Sequence, residues 1–312
     1  MRLLRRLQAQ APGSAGYAAT IGGFDGIHLG HRLLIDRART AARELGLQSM
    51  LLTFEPLPKE YFTPDNPPAR LTSFRERWRL LEASGPDVFC ALRFDDRLRN
   101  LSALEFAQML SAAGVRLVVI GHDFRAGFRG EACAEWFQRE GGRLGLAVDV
   151  VQPLLRDGVR IGSGVIRAAL AAGDLQSAAH LLGRRYSMRG RVVRGEQLGR
   201  KLGYPTANLR LARRQTPMDG IFAVRVRGVG NGHGPHVALD GVASLGTRPT
   251  VGGRIPLLEA HLFDFAGDLY GREIEVEFVT RLRDELRFES VDAMVVQIHR
   301  DAELARAVLR AD

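Results

Sequence analysis

The sequence predicts an α/β protein in two parts: a doubly wound parallel sheet, then an antiparallel β-barrel domain closed off by a terminal helix. Three observations predict it. Between Tyr17 and Val151, short apolar runs alternate with helical periodicities, the pattern of successive βαβ units. From Tyr186 onward, alternating strands follow one another across glycine-rich turns with no helix between them. A final stretch, from about Val291 to Leu309, has helical spacing. The change of pattern near residues 183–186 sets the expected domains at 1–184 and 185–312.

The bulk composition agrees with this. A chain of 312 residues suits two domains, each with its own core. Apolar content of 46% and charged content of 25% are those of a globular protein. Cys90 and Cys133 are the only cysteines and have no paired spacing, which supports neither a disulfide framework nor a zinc site. Reduced thiols, a basic start (Met1 to Leu7) without an apolar run behind it, and no stretch long enough to span a bilayer together predict a cytoplasmic protein. The net charge of +9 favours anionic ligands. The arginines are dispersed and not interleaved with aromatics, so neither nucleic acid nor membrane is the expected partner, and self-association stays open.

Taken in order, residues 1–10 read as an edge strand and Tyr17–Ile21 as a buried one. A helix begins near Gly30, with Leu34, Ala38, Ala41 and Leu45 on one face. Ser49–Phe54 is the next strand, and the prolines from Pro56 to Pro68 predict a loop that could serve as a substrate flap. A helix from Ser73 to Ala83, capped by Ser73 or Thr72, precedes a strand at Asp87–Leu92. The next helix runs from Ser102 to Ala113, with Glu105 placed for a capping box. Val115–Ile120 is the clearest strand and leads into Gly121-His122-Asp123-Phe124-Arg125. A helix over Cys133–Leu144 and a strand through Val148–Val151 follow. Helices at Ser163–Ala171 and Leu175–Leu182 break at Gly173-Asp174. The barrel strands are expected at Ser187–Val193, Ile221–Val226, His236–Leu239, Leu258–Leu262 and Ile274–Phe278.

The turn Gly22-Gly23-Phe24-Asp25-Gly26 before the first long helix is built for a phosphate. Glycine lets backbone come close to a ligand, and a helix start directs unpaired N–H groups and positive dipole at it. His28 and His31 add two imidazoles at this mouth. The turn at Asp123 leaves the carboxyl end of another parallel strand, where ligands of open sheets bind, so the two turns should converge.

His28-Leu29-Gly30-His31, at a strand-to-helix junction, resembles the His-x-Gly-His signature of the nucleotidyltransferase superfamily. Gly195 through Asn208, with Gly199-Arg200-Lys201-Leu202-Gly203-Tyr204-Pro205-Thr206-Ala207-Asn208, resembles the ATP-binding signature of riboflavin kinases. Gly246 to Thr250, Leu258 to Phe265, Asp268 to Gly271, Arg283 to Phe288, Gln297-Ile298 and Asp301 agree with it. In order and spacing, nearly the whole chain is similar to the prokaryotic bifunctional riboflavin kinase/FMN adenylyltransferases.

That resemblance implies two reactions. In the barrel, ATP would phosphorylate the 5′-hydroxyl of riboflavin to give FMN and ADP, with Glu259 as base. Thr206 and Asn208 would hold Mg²⁺ and the phosphates, Gly195, Gly199, Arg200, Gly203 and Pro205 the ATP, and Arg283 and Phe288 would flank the flavin. In the first domain, the phosphate of FMN would attack the α-phosphorus of ATP to give FAD and pyrophosphate. There His28, His31, the Gly22–Gly26 turn, Ser163 and Arg167 would hold the nucleotide, and Asp123, Phe124 and Arg125 the FMN.

Each of these residues also has a plain structural reading: Glu259 paired with an arginine, Thr206 and Asn208 as turn residues, Arg167 on an exposed helix face, Asp123 as a turn former. The chain departs from the family pattern at Gly23 (usually Asn), Gly162-Ser163-Gly164 (usually Ser-Ser-Thr), Ala126-Gly127 (usually Phe-Gly) and Ser244 (often Asn). Because the first three fall in the adenylyltransferase half, a kinase with a degenerate first domain is the alternative. A flavin- or nucleic-acid-binding regulator without chemistry is a third reading. Gly228 to Gly234 matches no nucleotide-binding pattern and is expected to be a hairpin loop, His233 and His236 to be solvated, and Trp78 and Trp136 to be packing residues.

Overall fold

The computed structural model describes residues 1–9, 13–82, 85–195, 199, 202–230, 237–250 and 253–312, the description of 248–250 and 253–255 being of the backbone. Two compact units emerge: Met1–Pro68 with Arg77–Gly162, and Ala69–Glu76 with Ser163–Asp312. The change of strand pattern near residue 185 thus falls inside the second unit, after its helical pair.

The first unit holds a six-stranded parallel sheet. Its strands are β1 (Arg2–Leu4), β2 (Tyr17–Ile21), β3 (Gln48–Glu55), β4 (Val88–Arg93), β5 (Val115–Gly121) and, after two short hairpin strands, β8 (Ala147–Val151). Their order is β1-β4-β3-β2-β5-β8. From β2 the chain winds outward through β3 and β4, then returns to place β5 on the other side of β2. That reversal creates a crevice at the carboxyl ends of β2 and β5, the place where open sheets bind ligands.

Helices cover both faces. α1 (Leu29–Leu45) lays Ala38 and Ala42 on Ala18, Leu117 and Val119. On the opposite face α5 (Ala103–Ala112) and α6 (Ala134–Glu140) pack Phe106, Leu110 and Phe137 against Met50, Leu52, Cys90 and Val118. Small alanines on α1 allow close approach, whereas the large aromatics fill the broader layer. Trp136 joins that layer and Trp78 lies 6.0 Å from Phe89.

Several details differ from the sequence expectations. The proline-rich stretch after β3 contains a helical turn, α2 (Pro58–Phe62), because Pro58 stands at a helix start, where its missing N–H costs nothing. Another short helix, α4 (Asp96–Arg99), is capped by Asp95. The hairpins β6 (Arg125–Ala126) with β7 (Ala132–Cys133), and β9 (Leu155–Arg156) with β10 (Val159–Arg160), are too short to carry periodicity. α6 ends at Glu140 and passes into a 3₁₀ turn over Gly141–Leu144. The helix α3 (Phe74–Glu82), by contrast, has the expected Ser73 cap, whose hydroxyl and N–H form a capping box with Glu76.

In the second unit, α7 (Ser163–Ala171) and α8 (Leu175–Leu182) precede a closed antiparallel barrel. Its strands are β11 (Ser187–Val193), β12 (Ala207–Leu211), β13 (Gly220–Arg227), β14 (Leu239–Thr250), β15 (Gly253–Leu262) and β16 (Glu273–Arg283). They close in the order β11-β12-β15-β14-β13-β16. β12 was not anticipated. The strand expected at His236–Leu239 instead begins at Leu239 and runs to Thr250; His233 and His236 lie outside the described residues. Gly241 reads as a breaker in sequence, yet a Cβ there would meet the His261 carbonyl at 2.5 Å, so it serves close approach of neighbouring strands. α9 (Val291–Ala311), capped by Ser290, packs Ala302, Ala305 and Leu309 on Ala223, Val242 and Phe263.

Candidate active sites

In the first unit the crevice is bordered by the turn from Gly22 to Ile27. Phe24, Gly26 and Ile27 adopt φ of 49°, 93° and 43°, a region that costs L-residues energy. Burial of the Phe24 and Ile27 side chains, each 1% exposed, offsets that cost. Asp25 is buried as well.

His28 is the N-cap of α1. Its Nδ1 accepts the His31 backbone N–H at 3.2 Å, so the neutral ring carries its proton on Nε2. The two imidazoles stack with centroids 3.5 Å apart and planes inclined by 17°, and Phe24 lies 5.0 Å from His31. A Cβ on Gly30 would stand 3.3 Å from the His28 ring, so the glycine between the histidines lets the capping ring fold back on the helix. No acidic residue occupies the first turn of α1.

Gly23 is exposed, but its carbonyl is not idle. It accepts hydrogen bonds from Thr53 Oγ1 at 3.1 Å and Arg77 Nη1 at 3.2 Å. The wholly buried Arg77 guanidinium also donates to Thr53 Oγ1 at 3.2 Å and pairs with Glu55 at 2.5 Å. Sequence reasoning missed Arg77. The signal was present: an arginine on the apolar stripe Phe74, Trp78, Leu81 of an amphipathic helix needs a buried partner.

Asp123 leaves β5 exposed, pairs with Arg160 at 2.5 Å and stands 3.9 Å from His122. Phe124 packs edge-on to Phe137 at 5.7 Å, as part of the core, and Arg125 is exposed at the start of β6. Ser163 and Arg167 belong to the second unit, on α7, where Arg167 Nε donates to the Ala69 carbonyl at 2.6 Å. Cβ atoms on Gly162 or Gly164 would meet nothing within 4 Å, so the fold does not require glycine at these two departures from the family pattern.

The barrel contains a cavity of about 280 Å³ lined by Gly199, Thr206, Glu259, Arg283 and Phe288, which brings five of the sequence candidates together. Asn208 is opposite Glu259 in the β12–β15 register. It is 6% exposed, and its side chain lies where Gly195 leaves room: a Cβ on Gly195 would be 2.6 Å from it. Gly203 takes φ of 85° in the turn before Pro205. Arg200 lies outside the described residues. Arg283 is committed to Asp301 through Nε at 2.9 and 3.1 Å and Nη2 at 2.6 Å, so its guanidinium is held fixed, with Phe288 at 6.0 Å.

Among the other residues lining the cavity, His261, Glu285 and Asp301 had been assigned no role. Burial, with Asp219 nearby, pushes the Glu285 carboxyl up from its ordinary range, against a hydrogen bond with Ser244 and the charge of Arg283.

Among the described residues no cluster of three or more His, Cys, Asp or Glu could hold a metal ion. The hydroxyl of Thr206 and the amide oxygen of Asn208, beside the Glu259 carboxylate, are instead hard oxygen donors of the type that share Mg²⁺ with phosphates and water.

A doubly wound sheet with an anion-seeking helix start, followed by a closed barrel enclosing a carboxylate, defines a transferase with two catalytic domains. Residues 11–165 match the family model for FAD synthetase, and residues 182–309 match that for riboflavin kinase. The bifunctional riboflavin kinase/FMN adenylyltransferase of Pseudomonas fluorescens is 42% identical over 99% of this chain and 98% of its own length. Its namesake in Escherichia coli K12 is also 42% identical, over 98% of this chain and 97% of its own. A solved Streptococcus pneumoniae structure described as a macrolide-efflux protein shares 30% identity and a TM-score of 0.80, across 98% of this chain and 99% of that one. No helix among the described residues is long and apolar enough to cross a membrane. The chain belongs to the bifunctional riboflavin kinase/FMN adenylyltransferase family.

Proposed function

We propose that the barrel phosphorylates riboflavin and that the crevice of the first unit adenylylates the product. The observation that carries the assignment is the barrel cavity, where Thr206 and Glu259 meet and Asn208 stands in register with that glutamate.

A ribityl hydroxyl is a weak nucleophile at neutral pH. Glu259 takes its proton as the oxygen bonds to the γ-phosphorus of ATP, and ADP departs. Thr206 and Asn208 orient the phosphates and would hold Mg²⁺, which would supply positive charge to the phosphates during transfer. Arg283, fixed by Asp301, and Phe288 border the flavin end of the cavity.

In the first unit the FMN phosphate is already ionised and needs no base. His28, His31 and the first N–H groups of α1 hold the triphosphate, so that the FMN oxygen bonds to the α-phosphorus as the bond to pyrophosphate breaks. Asp123 orients ribose or flavin hydroxyls.

Product analysis tests both assignments. With ATP and Mg²⁺, the protein should convert riboflavin to FMN, and added FMN to FAD. FMN without FAD would support the kinase-only alternative, and binding without either product would support a regulator.

A further inference from the structure

Residues two apart on a strand point to the same side, so β15 presents both Glu259 and His261 to the barrel cavity. His261 Nδ1 lies 2.9 Å from the carbonyl oxygen of Pro205. A carbonyl only accepts, so Nδ1 carries the proton and the histidine is the donor. The ring is held edge-on by Tyr204, at 5.3 Å, and by Phe263, at 5.8 Å.

The partner is informative. Proline has no N–H, so the turn cannot be secured through an amide at residue 205, and its carbonyl is the remaining handle. The next residue is Thr206, which lines the cavity. Ladder pairing takes over at Ala207, opposite Ala260. On the other side of the turn, the Tyr204 hydroxyl meets His299 Nδ1 on α9 at 2.8 Å. The segment Tyr204-Pro205-Thr206 is thereby gripped from a strand and from a helix.

We propose that His261 is a positioning residue of the kinase reaction: by donating Nδ1–H to the Pro205 carbonyl it aims the Thr206 hydroxyl into the cavity and so governs how tightly ATP is held. This rests on the reading of the cavity as the kinase site. The role requires a donor at one point, not an imidazole that gains or loses a proton.

Steady-state FMN formation by the full-length protein, with ATP varied at saturating Mg²⁺, tests it. His261→Ala should raise the KM for ATP about tenfold, with kcat and the KM for riboflavin changed less than about threefold. His261→Asn, whose amide nitrogen falls where Nδ1 was, should restore the KM for ATP, whereas His261→Gln, with its nitrogen one bond farther out, should not. An unchanged KM for ATP in His261→Ala overturns the inference, as does an equal rise for riboflavin. His261→Asn as impaired as His261→Ala also overturns it, since the ring itself would then matter. Wild-type protein that forms no FMN overturns the site reading and the inference together; normal wild-type turnover with unaffected variants overturns the inference alone.

Discussion

Arg77 reaches from α3 to the carbonyl of Gly23, 3.2 Å away, and in doing so ties the glycine-rich turn to the interior of its unit. The same guanidinium holds Thr53 and Glu55 on the neighbouring strand. A residue with no place in the crevice therefore sets the path of the backbone that borders it.

Replacing Arg77 by Met should weaken adenylylation at least tenfold while FMN formation continues. It should also cost about 3 kcal/mol of stability in the first unit, because Glu55 and the Gly23 carbonyl lose a buried charged donor. Arg77→Lys, with a point charge in place of the fork, should fall between the two. Chemical denaturation alongside the two product assays measures these effects.

The two activities should separate by mutation. Glu259→Gln is expected to reduce FMN formation by about 10²- to 10⁴-fold and to leave FAD synthesis from added FMN intact. His28→Ala should do the reverse, since it removes both the cap of α1 and a donor at its mouth. One substitution abolishing both reactions in folded protein would contradict the two-site account.

Gly195→Ala should impair the kinase through Asn208. The new methyl would enter the space of the Asn208 side chain, and that side chain is walled in by the barrel. Nucleotide affinity should fall in FMN formation and stay unchanged in FAD formation, as read from the KM for ATP in each assay.

Thiol chemistry should distinguish the cysteines. Burial in the sheet pushes Cys90 up to about 12, so almost none of it is thiolate near neutral pH. Native protein should release one equivalent in a thiol titration at pH 8, from the partly exposed Cys133, and the second only on unfolding. Raising the pH from 7 to 9 should not expose Cys90 to reaction.

What was legible in the sequence followed local signals. α7 and α8 announced themselves by the break at Gly173-Asp174, where the structure adds that the Asp174 side chain accepts the Ser177 N–H at 2.9 Å and caps α8. The capping box of Ser102 and Glu105 marked α5 in the same way. The barrel strands were less visible. β14 contains Gly241 and Gly246, whose role is to let neighbouring groups approach, a long-range reason that local propensity does not encode. For the cavity, the motif order located Thr206, Glu259, Arg283 and Phe288. His261 and Arg77 escaped notice because their meaning lies in distant backbone carbonyls, not in neighbours along the chain.

The segment 69–76 has a consequence for how the molecule can be made. Glu76 is ion-paired with the buried Arg213, and the Leu71 carbonyl accepts from the Tyr186 hydroxyl at 3.0 Å, although residues 77–162 return to the first unit. During synthesis the ribosome delivers Glu76 well over a hundred residues before its counter-charge. Neither half is thus a continuous reading frame, and a gene split after residue 162 would leave the upstream product carrying a piece of the downstream one.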